Sequence, residues 1–401
     1  MRINKSKWYN DAVSPVLFMI DDLANTWVDT NNDGKVDWGE DWGYFRNEER
    51  SSFRYLQEQL LARFPAVKVT FFVPVGVRVG MTNRPLFKQI SLPINADEAS
   101  KDFFQSIHHH PNFEIAYHGT NHGKVGTHAV DFIQEWELFH SVSEALERIE
   151  EGITIYEDAI GERPQGGKYC GYMSNAYSDE SINQAGFTWW CRYWNRGSEQ
   201  GDPIAGQDKN PLTNYDVKRF ATRGVIDIPS TLDGGLLRGV YHADLSVKGI
   251  TKRLLRKPLV RWKLREIDFL LEHNLVISIQ EHIAPSRDDG QRQSPNIFDD
   301  CSSLVGIFHY LEDKKVWYCT GTELANYVNL RDHVQVVPLE EDQFMLEHDS
   351  KYAGHEITLK FEESTDYDRI LLPNLKTIAV VNGVVNVPVL PGKYTILKGG
   401  I

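Results

Sequence analysis

The sequence predicts an α/β fold with a parallel sheet, open or closed, because short apolar segments alternate with amphipathic helical ones. Six segments have the composition of buried strands: residues 15–20, 67–75, 113–117, 187–190, 225–228 and 275–279. Three further segments carry helical periodicity: residues 51–64, 129–156 and 259–274. Strands and helices therefore alternate along most of the chain.

The last part of the chain has a different character. Helical periodicity ends near residue 335, and residues 356–361 alternate between apolar and polar side chains. Residues 377–387 place an Asn-Gly pair between two apolar runs, which is a strong hairpin signal. We therefore expect two domains, an α/β domain over residues 1–333 and a small β-rich accessory domain over residues 334–401.

The charge balance limits the partners. The 401 residues include 56 acids against 43 Lys and Arg, a formal net charge of −13. Phosphate binding needs a basic field, so neither nucleic acid nor an anionic membrane is an expected partner. The sequence has no run of 18 apolar residues, so no membrane span is predicted, and no signal peptide is evident. The four cysteines form no CxxC pair. These features favour a cytoplasmic protein with reduced thiols.

Chemistry-bearing side chains follow three of the predicted strands. Asp21 and Asp22 end the first strand, His118 and His122 follow the third, and His282 closes the last. The carboxyl ends of parallel strands are where α/β folds build their sites. Two histidines four residues apart, with one carboxylate, suit a catalytic metal. Taken alone, the Asp pair also fits a solvated strand end, the His pair also fits a chance surface pair, and His282 also fits a strand-end histidine whose hydrogen bonds are satisfied.

A calcium-loop pattern occupies residues 29–40. Its hard oxygen ligands would come from Asp29, Asn31, Asp33, Lys35 (through its carbonyl), Asp37 and Glu40. Gly34 permits the sharp turn at the sixth loop position. No helical pattern precedes the loop and no second loop accompanies it, so a structural Ca²⁺ site is expected rather than a sensor. The alternative is a solvated Asn/Asp/Gly turn, and a calcium site would suit an extracytoplasmic protein better.

In sequence order, these motifs resemble the polysaccharide deacetylase superfamily (NodB homology, carbohydrate esterase family 4). The matching segments are FMIDD at residues 18–22, KVTFFVPVG at 68–76, the His118–His122 pair, GERPQGGKY at 161–169 and IQEH at 279–282. Leu23 stands where the family usually has glycine, and the arginine motif lacks its usual continuation. The chain is therefore similar to a divergent member over residues 13–330.

The resemblance implies a distorted (β/α) barrel with seven or so parallel strands, followed by the β-rich domain. It implies that the metal ligands are Asp22, His118 and His122, with zinc as the leading candidate. Asp21 would be the general base, His282 the acid that protonates the leaving amine, and Arg163 the residue that steadies Asp21. We expect substrate contacts from Lys168, Tyr169 and Trp194.

The expected function is a metal-dependent hydrolase that removes an N-acyl group, first of all N-acetyl, from an amino sugar or glycan. Two alternatives share these residues. One is a catalytically silent carbohydrate-binding protein on the same scaffold, and the other is a hydrolase of a non-sugar amide or ester. The calcium-type loop lies between the first strand and the first helix, so we expect calcium to rigidify the rim of the active site.

Overall fold

The computed structural model describes residues 3–194, 212–242, 246–340, 342–362 and 367–398. By internal contacts the chain divides into two units. The barrel unit comprises Val16–Lys314 and Tyr318–Thr322, and the β-rich unit comprises Met1–Pro15, Lys315–Trp317 and Glu323–Ile401. The expected boundary at residue 334 did not assign the N-terminal residues to the β-rich unit. They belong to it because, among other contacts, the N-terminal strand Ile3–Lys5 pairs with Glu356–Phe361.

The strands are short, as is usual for an α/β protein. In chain order they are β1 (Ile3–Lys5), β2 (Ser14–Asp21), β3 (Thr26–Asp29), β4 (Val69–Val73), β5 (Lys88–Ser91), β6 (Phe113–Tyr117), β7 (Gly123–Lys124), β8 (Ile133–Gln134), β9 (Gly166–Lys168), β10 (Trp189–Cys191), β11 (Lys218–Phe220), β12 (Val225–Asp227), β13 (Leu232–Asp233), β14 (Ile277–His282), β15 (Val316–Tyr318), β16 (Gln335–Glu340), β17 (Gln343–Glu347), β18 (Glu356–Phe361), β19 (Tyr367–Leu371), β20 (Thr377–Ala379), β21 (Val384–Pro388) and β22 (Lys393–Lys398).

The α-helices lie mainly between the barrel strands. They are α1 (Ser52–Leu56), α2 (Glu98–His108), α3 (Val142–Ile160), α4 (Ser178–Ala185), α5 (Arg238–Tyr241), α6 (Val247–Leu254), α7 (Arg256–Lys263), α8 (Arg265–Glu272), α9 (Ile297–Leu311) and α10 (Gly321–His333). None of these helices, as far as the structure describes them, is long and apolar enough to cross a membrane.

The barrel unit is built on one mostly parallel sheet. Its strand order is β11-β12-β10-β9-β6-β4-β2-β14-β13, and only the β11–β12 pairing in this series is antiparallel. β12 and β13 are successive parts of one extended segment that bonds to both ends of the sheet. The Ile228 amide donates to the carbonyl of Trp190 at 2.9 Å, and the Thr231 amide donates to that of Ser278 at 3.1 Å. The sheet is thereby curled into a distorted barrel, which confirms the predicted fold class.

All six predicted strand segments contain a strand of this sheet. The strand β9 was not predicted, because its sequence Gly-Gly-Lys has neither β-branched residues nor alternation. Its glycines are required by close packing. A Cβ atom on Gly166 would lie 2.1 Å from the Trp189 ring, and one on Gly167 would lie 2.3 Å from the carbonyl oxygen of Tyr117.

The predicted helix at residues 129–156 is shorter in the structure. Residues 123–137 form the small β7–β8 pair and two single helical turns, and α3 begins only at Val142. Ser141 caps α3 by accepting a hydrogen bond from the Glu144 amide, and Gly161 ends it with a φ of 95°. The helical prediction at residues 259–274 corresponds to parts of two helices, α7 and α8.

The β-rich unit confirms the expected change of architecture. It contains a three-stranded sheet, β1-β18-β21, and a five-stranded sheet, β16-β17-β22-β19-β20. Buried side chains such as Phe344, Ile357 and Tyr394 form its own core. The predicted Asn-Gly turn is present, with φ of 51° at Asn382 and 73° at Gly383, although the strands on either side of it belong to different sheets.

Candidate active site

The candidate site lies at the carboxyl ends of neighbouring barrel strands. β2 ends at Asp21, β6 leads into His118, β9 ends at Lys168 and β14 ends at His282. Asp21 and His282 are register partners on adjacent parallel strands. The sheet topology therefore gathers side chains that are up to 261 positions apart in the sequence.

The three side chains expected to bind the catalytic metal, Asp22, His118 and His122, lie close together. The Asp22 Oδ1 atom lies 3.1 Å from His122 Nε2 and 3.9 Å from His118 Nε2, and it has no hydrogen-bond partner among the described residues. All three residues are buried. Ligand atoms about 2.1 Å from a tetrahedral ion are about 3.4 Å apart, so this spacing and the orphaned oxygen fit a shared cation.

Neighbouring groups orient these ligands. The Nδ1 atom of His118 bonds the Lys168 carbonyl at 3.0 Å, which turns Nε2 toward Asp22. Glu135 accepts the amides of Thr120, Asn121 and His122 at 2.7–2.8 Å and so fixes the loop that carries His122. Burial lowers the pKa of His122 to about 3, which keeps its imidazole neutral, as metal ligation requires.

Cys170 is a competing third ligand. Its Sγ atom and one nitrogen of each histidine, His118 and His122, lie within 4.8 Å of one another. The thiol, however, bonds the His118 carbonyl at 3.1 Å, and burial raises the pKa of Cys170 well above its ordinary value. Burial opposes ionisation of Asp22 too, but the Arg78 guanidinium at 2.8 Å holds the pKa of Asp22 well below its usual range. Asp22 is the better-placed donor, because its Oδ1 atom has no hydrogen-bond partner among the described residues, whereas the Cys170 thiol already bonds a carbonyl oxygen.

Lys168 takes the place expected for Arg163. The Lys168 Nζ atom lies 2.9 and 2.7 Å from the two oxygens of Asp21 and also bonds Gln280. Arg163 instead lies on the surface and pairs with Glu150 at 3.0 Å. The expected contact between Arg163 and Asp21 is therefore corrected: Arg163 comes before β9 begins, whereas Lys168 ends that strand inside the barrel.

His282 is held by a loop that follows its strand. Its Nδ1 atom bonds the Pro295 carbonyl at 2.7 Å, and its Nε2 atom lies 2.8 Å from the side-chain nitrogen of Gln293. Burial lowers the pKa of His282, although the carboxylates of Asp21 and Asp22 act in the opposite direction. A lowered pKa makes the protonated ring a stronger acid.

Two of the three expected substrate contacts are corrected by the structure. Lys168 is fully buried on Asp21, and Tyr169 is fully buried with its hydroxyl donating to Asp179 at 2.8 Å. Trp194 is different. It lines a cavity of about 560 Å³ with Tyr215, Asp233 and Trp262, among others, and its ring meets that of Tyr172 with centroids 5.7 Å apart.

The calcium-type loop adopts a compact turn. Asp29 accepts the amides of Asp33 at 3.2 Å and Gly34 at 2.8 Å, while Glu40 accepts those of Thr30 and Asp37 at 2.8 and 2.9 Å. The side chains of the other predicted ligands also make local contacts. Asn31 and Asp33 accept hydrogen bonds from loop amides, and Asp37 forms an ion pair with Arg50. Lys35 contributes its amide to Asp33.

Several site residues were not predicted from the sequence. Gln280 could have been found from strand periodicity, because it lies two positions before His282 on β14 and so shares its face. Arg78 and Gln293 come from irregular loops, where no periodic signal marks them, and Glu135 begins a single helical turn in a segment that the sequence predicts as part of a longer helix.

Comparisons with known proteins give similarity in structure and none in sequence. No protein-family model matches the chain, and no curated protein matches it. A structure described as a polysaccharide deacetylase from Mycobacterium smegmatis matches at 14% identity and a TM-score of 0.44, covering 82% of this chain and 94% of that one. Another so described, from Pseudomonas aeruginosa, matches at 16% identity and 0.45, covering 80% and 92%. An allantoinase matches at 14% identity and 0.45, also covering 80% and 92%.

The identities are low, so the function proposed below depends on the residues of the site itself.

Proposed function

We propose that the protein is a metal-dependent hydrolase that removes an N-acyl group, first of all N-acetyl, from an amino sugar or glycan. The observation that carries the proposal is the convergence of Asp22 Oδ1 on the Nε2 atoms of His118 and His122, next to the register pair of Asp21 and His282. A neutral His₂ and carboxylate set is the ligand type of a catalytic transition metal, with zinc as the leading candidate.

The bound metal would polarise the amide carbonyl and lower the pKa of a water molecule. The side chains of the protein carry out the proton transfers. Asp21 takes the proton of the attacking water, and Lys168 holds Asp21 in place through both of its oxygens. His282, once protonated at Nε2, donates that proton to the departing amine, with its ring fixed by the Pro295 carbonyl.

The proposed substrate contact is Trp194. Indole rings stack on sugar faces, and the cavity lined by Trp194 and Trp262 also presents the carboxylates of Asp233 and Glu266, which can accept sugar hydroxyls. The Tyr172 ring that meets Trp194 also bonds Gln280 through its hydroxyl at 2.9 Å. Gln280 also bonds Lys168, so Tyr172 and Gln280 connect Trp194 to Lys168 through three successive contacts.

We also propose that the loop at residues 29–40 binds Ca²⁺. The support is the match of its six ligand positions and the Asx hydrogen bonds through which Asp29, Asn31 and Asp33 already hold the loop in a turn. The role proposed for calcium is to rigidify the segment that follows β2.

Acetate release from N-acetylglucosamine oligomers tests the proposed reaction. In the zinc-loaded protein we expect Asp21→Asn to lower kcat about 100-fold or more while zinc remains bound, because only the base is lost. Asp22→Asn should weaken zinc binding as well. Asp102→Asn, at an exposed position of α2, is the matched control and should change neither.

Other outcomes decide between the alternatives. Hydrolysis of simple amides or aryl acetates without any action on amino sugars would replace the sugar substrate with a non-sugar one. Binding of sugar oligomers with no turnover on any of these compounds would overturn the hydrolase proposal in favour of a silent binding protein.

A further inference from the structure

The ring of His282 is fixed in one orientation by two contacts. Because a carbonyl oxygen only accepts, the 2.7 Å contact with Pro295 requires His282 Nδ1 to carry a hydrogen. In the neutral ring the lone pair is then on Nε2, which is the nitrogen that must serve the leaving amine. The Gln293 side-chain nitrogen lies 2.8 Å from that atom, so it donates a hydrogen bond to it.

Gln293 is itself anchored at both backbone groups. Its amide donates to the Pro285 carbonyl at 2.7 Å, and its carbonyl accepts the side-chain amide of Asn296 at 2.8 Å. Asn296 caps α9 by accepting the amides of Phe298 and Asp299. The segment that carries both partners of His282 is therefore tied to the start of a helix.

A primary amide can serve either form of an imidazole. Its nitrogen donates to the bare Nε2 of the neutral ring, and after a half-turn about its last bond its oxygen accepts from the Nε2–H of the protonated ring. Methionine has a similar length but can do neither of these well. A glutamine at this position therefore keeps His282 in one place whichever form it has.

We propose that Gln293 is a positioning residue for the acid His282. Its side chain hydrogen-bonds the Nε2 atom of both the neutral and the protonated ring, and this hydrogen bond is replaced by one to the leaving amine when the proton is transferred. This inference rests on the proposed function, because it assigns to Gln293 a part in the step that expels the amine. It adds to that function a residue that binds neither metal nor substrate.

The test compares two leaving groups. An amine needs a proton to depart, whereas 4-nitrophenolate does not, so only the first reaction uses His282 as an acid. For Gln293→Met we expect kcat for acetate release from N-acetylglucosamine oligomers to fall about tenfold or more, with KM changed less than twofold. Hydrolysis of 4-nitrophenyl acetate should stay within twofold of wild type. Gln291→Met, at an exposed position of the same loop, should match wild type on both substrates.

A second readout does not depend on turnover. In ¹⁵N-histidine-labelled protein, Gln293→Met should move the Nε2 resonance of His282, which is assigned from its loss in His282→Gln. An equal loss of rate on both substrates, or an unmoved resonance, would overturn the role of Gln293. A different result would overturn the proposed function itself: wild type releases no acetate from any amino sugar, while the resonance still moves in Gln293→Met. The role of Gln293 in amine expulsion would then fail too, and only its hydrogen bond to His282 would be established.

Discussion

Two of the three converging ligands adopt left-handed backbone conformations. Asp22 has a φ of 68° and His122 a φ of 73°, a region that costs a non-glycine residue about 1–3 kcal/mol. Specific contacts hold both residues there. The Asp22 amide donates to the Phe72 carbonyl at 2.9 Å, and the His122 amide donates to Glu135 at 2.7 Å. Side chains that follow β2 and β6, the two strands that flank β4, are thereby aimed at one point.

The carboxylate of Glu135 is the residue on which the position of His122 depends most. Glu135→Gln should lower the zinc affinity about 10–100-fold, because the amide nitrogen of glutamine cannot accept the backbone hydrogens that Glu135 now accepts. Competition with a chromogenic chelator measures the affinity. Glu137→Gln, two residues away and only half-buried, is the control and should bind zinc as wild type does. Equal affinity in both variants would show that the loop does not need Glu135.

At the scale of elements, β9 depends on having no side chain at its first two positions. Gly166→Ala would put a Cβ atom 2.1 Å from the fully buried Trp189 ring, so we expect a loss of about 1–3 kcal/mol in the free energy of unfolding. Urea denaturation measures it. The control is Gly239→Ala in α5, where a Cβ would meet no atom of the described residues within 4 Å, and it should be neutral or slightly stabilising. A Gly166→Ala protein as stable as wild type would mean that β9 and β10 separate easily.

The loop after β3 gives a second prediction for an element. Protein stripped with EDTA and given zinc alone should recover only part of its activity and thermal stability, and added calcium should restore the rest, because the loop lacks its cation. Glu40→Gln should abolish the calcium-dependent rise in Tm, while Glu49→Gln, an exposed neighbour, should keep it. Full recovery with zinc alone would remove calcium from the protein's function.

At the scale of the whole molecule, one buried acid should contribute a loss of stability as pH rises. Glu281 is fully buried, neither of its oxygens has a hydrogen-bond partner among the described residues, and burial, with Asp300 and Asp233 nearby, raises its pKa well above 4.5. A carboxyl group whose pKa is raised by folding contributes its stabilisation below the unfolded pKa and loses it as pH rises toward the folded one. The loss approaches about 1.4 kcal/mol per pH unit.

Glu281→Gln has no proton to lose, so its free energy of unfolding relative to wild type should improve steadily from pH 5 to pH 8. Chemical denaturation at several pH values measures the trend. Glu272→Gln, which replaces an exposed acid at the end of α8, should leave the pH dependence as it is. A constant difference between Glu281→Gln and wild type would mean that Glu281 is ionised in the folded protein.

The sequence by itself determined the α/β class, six of the barrel strands and the placement of Asp21, Asp22, His118, His122 and His282 at strand ends. These features follow from local periodicity, and parallel strands necessarily bring their carboxyl ends to one edge. The helix bounds were less well predicted, because residues 123–137 mix apolar and acidic side chains at helical spacing without continuing as a helix.

Only the tertiary structure decided which side chains support those ligands. Lys168 rather than Arg163 meets Asp21, 147 positions away, and Arg78 meets Asp22 across 56 positions. Gln293 reaches His282 from a loop with no regular pattern. Such contacts depend on where a curled sheet and its loops bring distant residues together, and the period of a strand or helix carries no record of that distance.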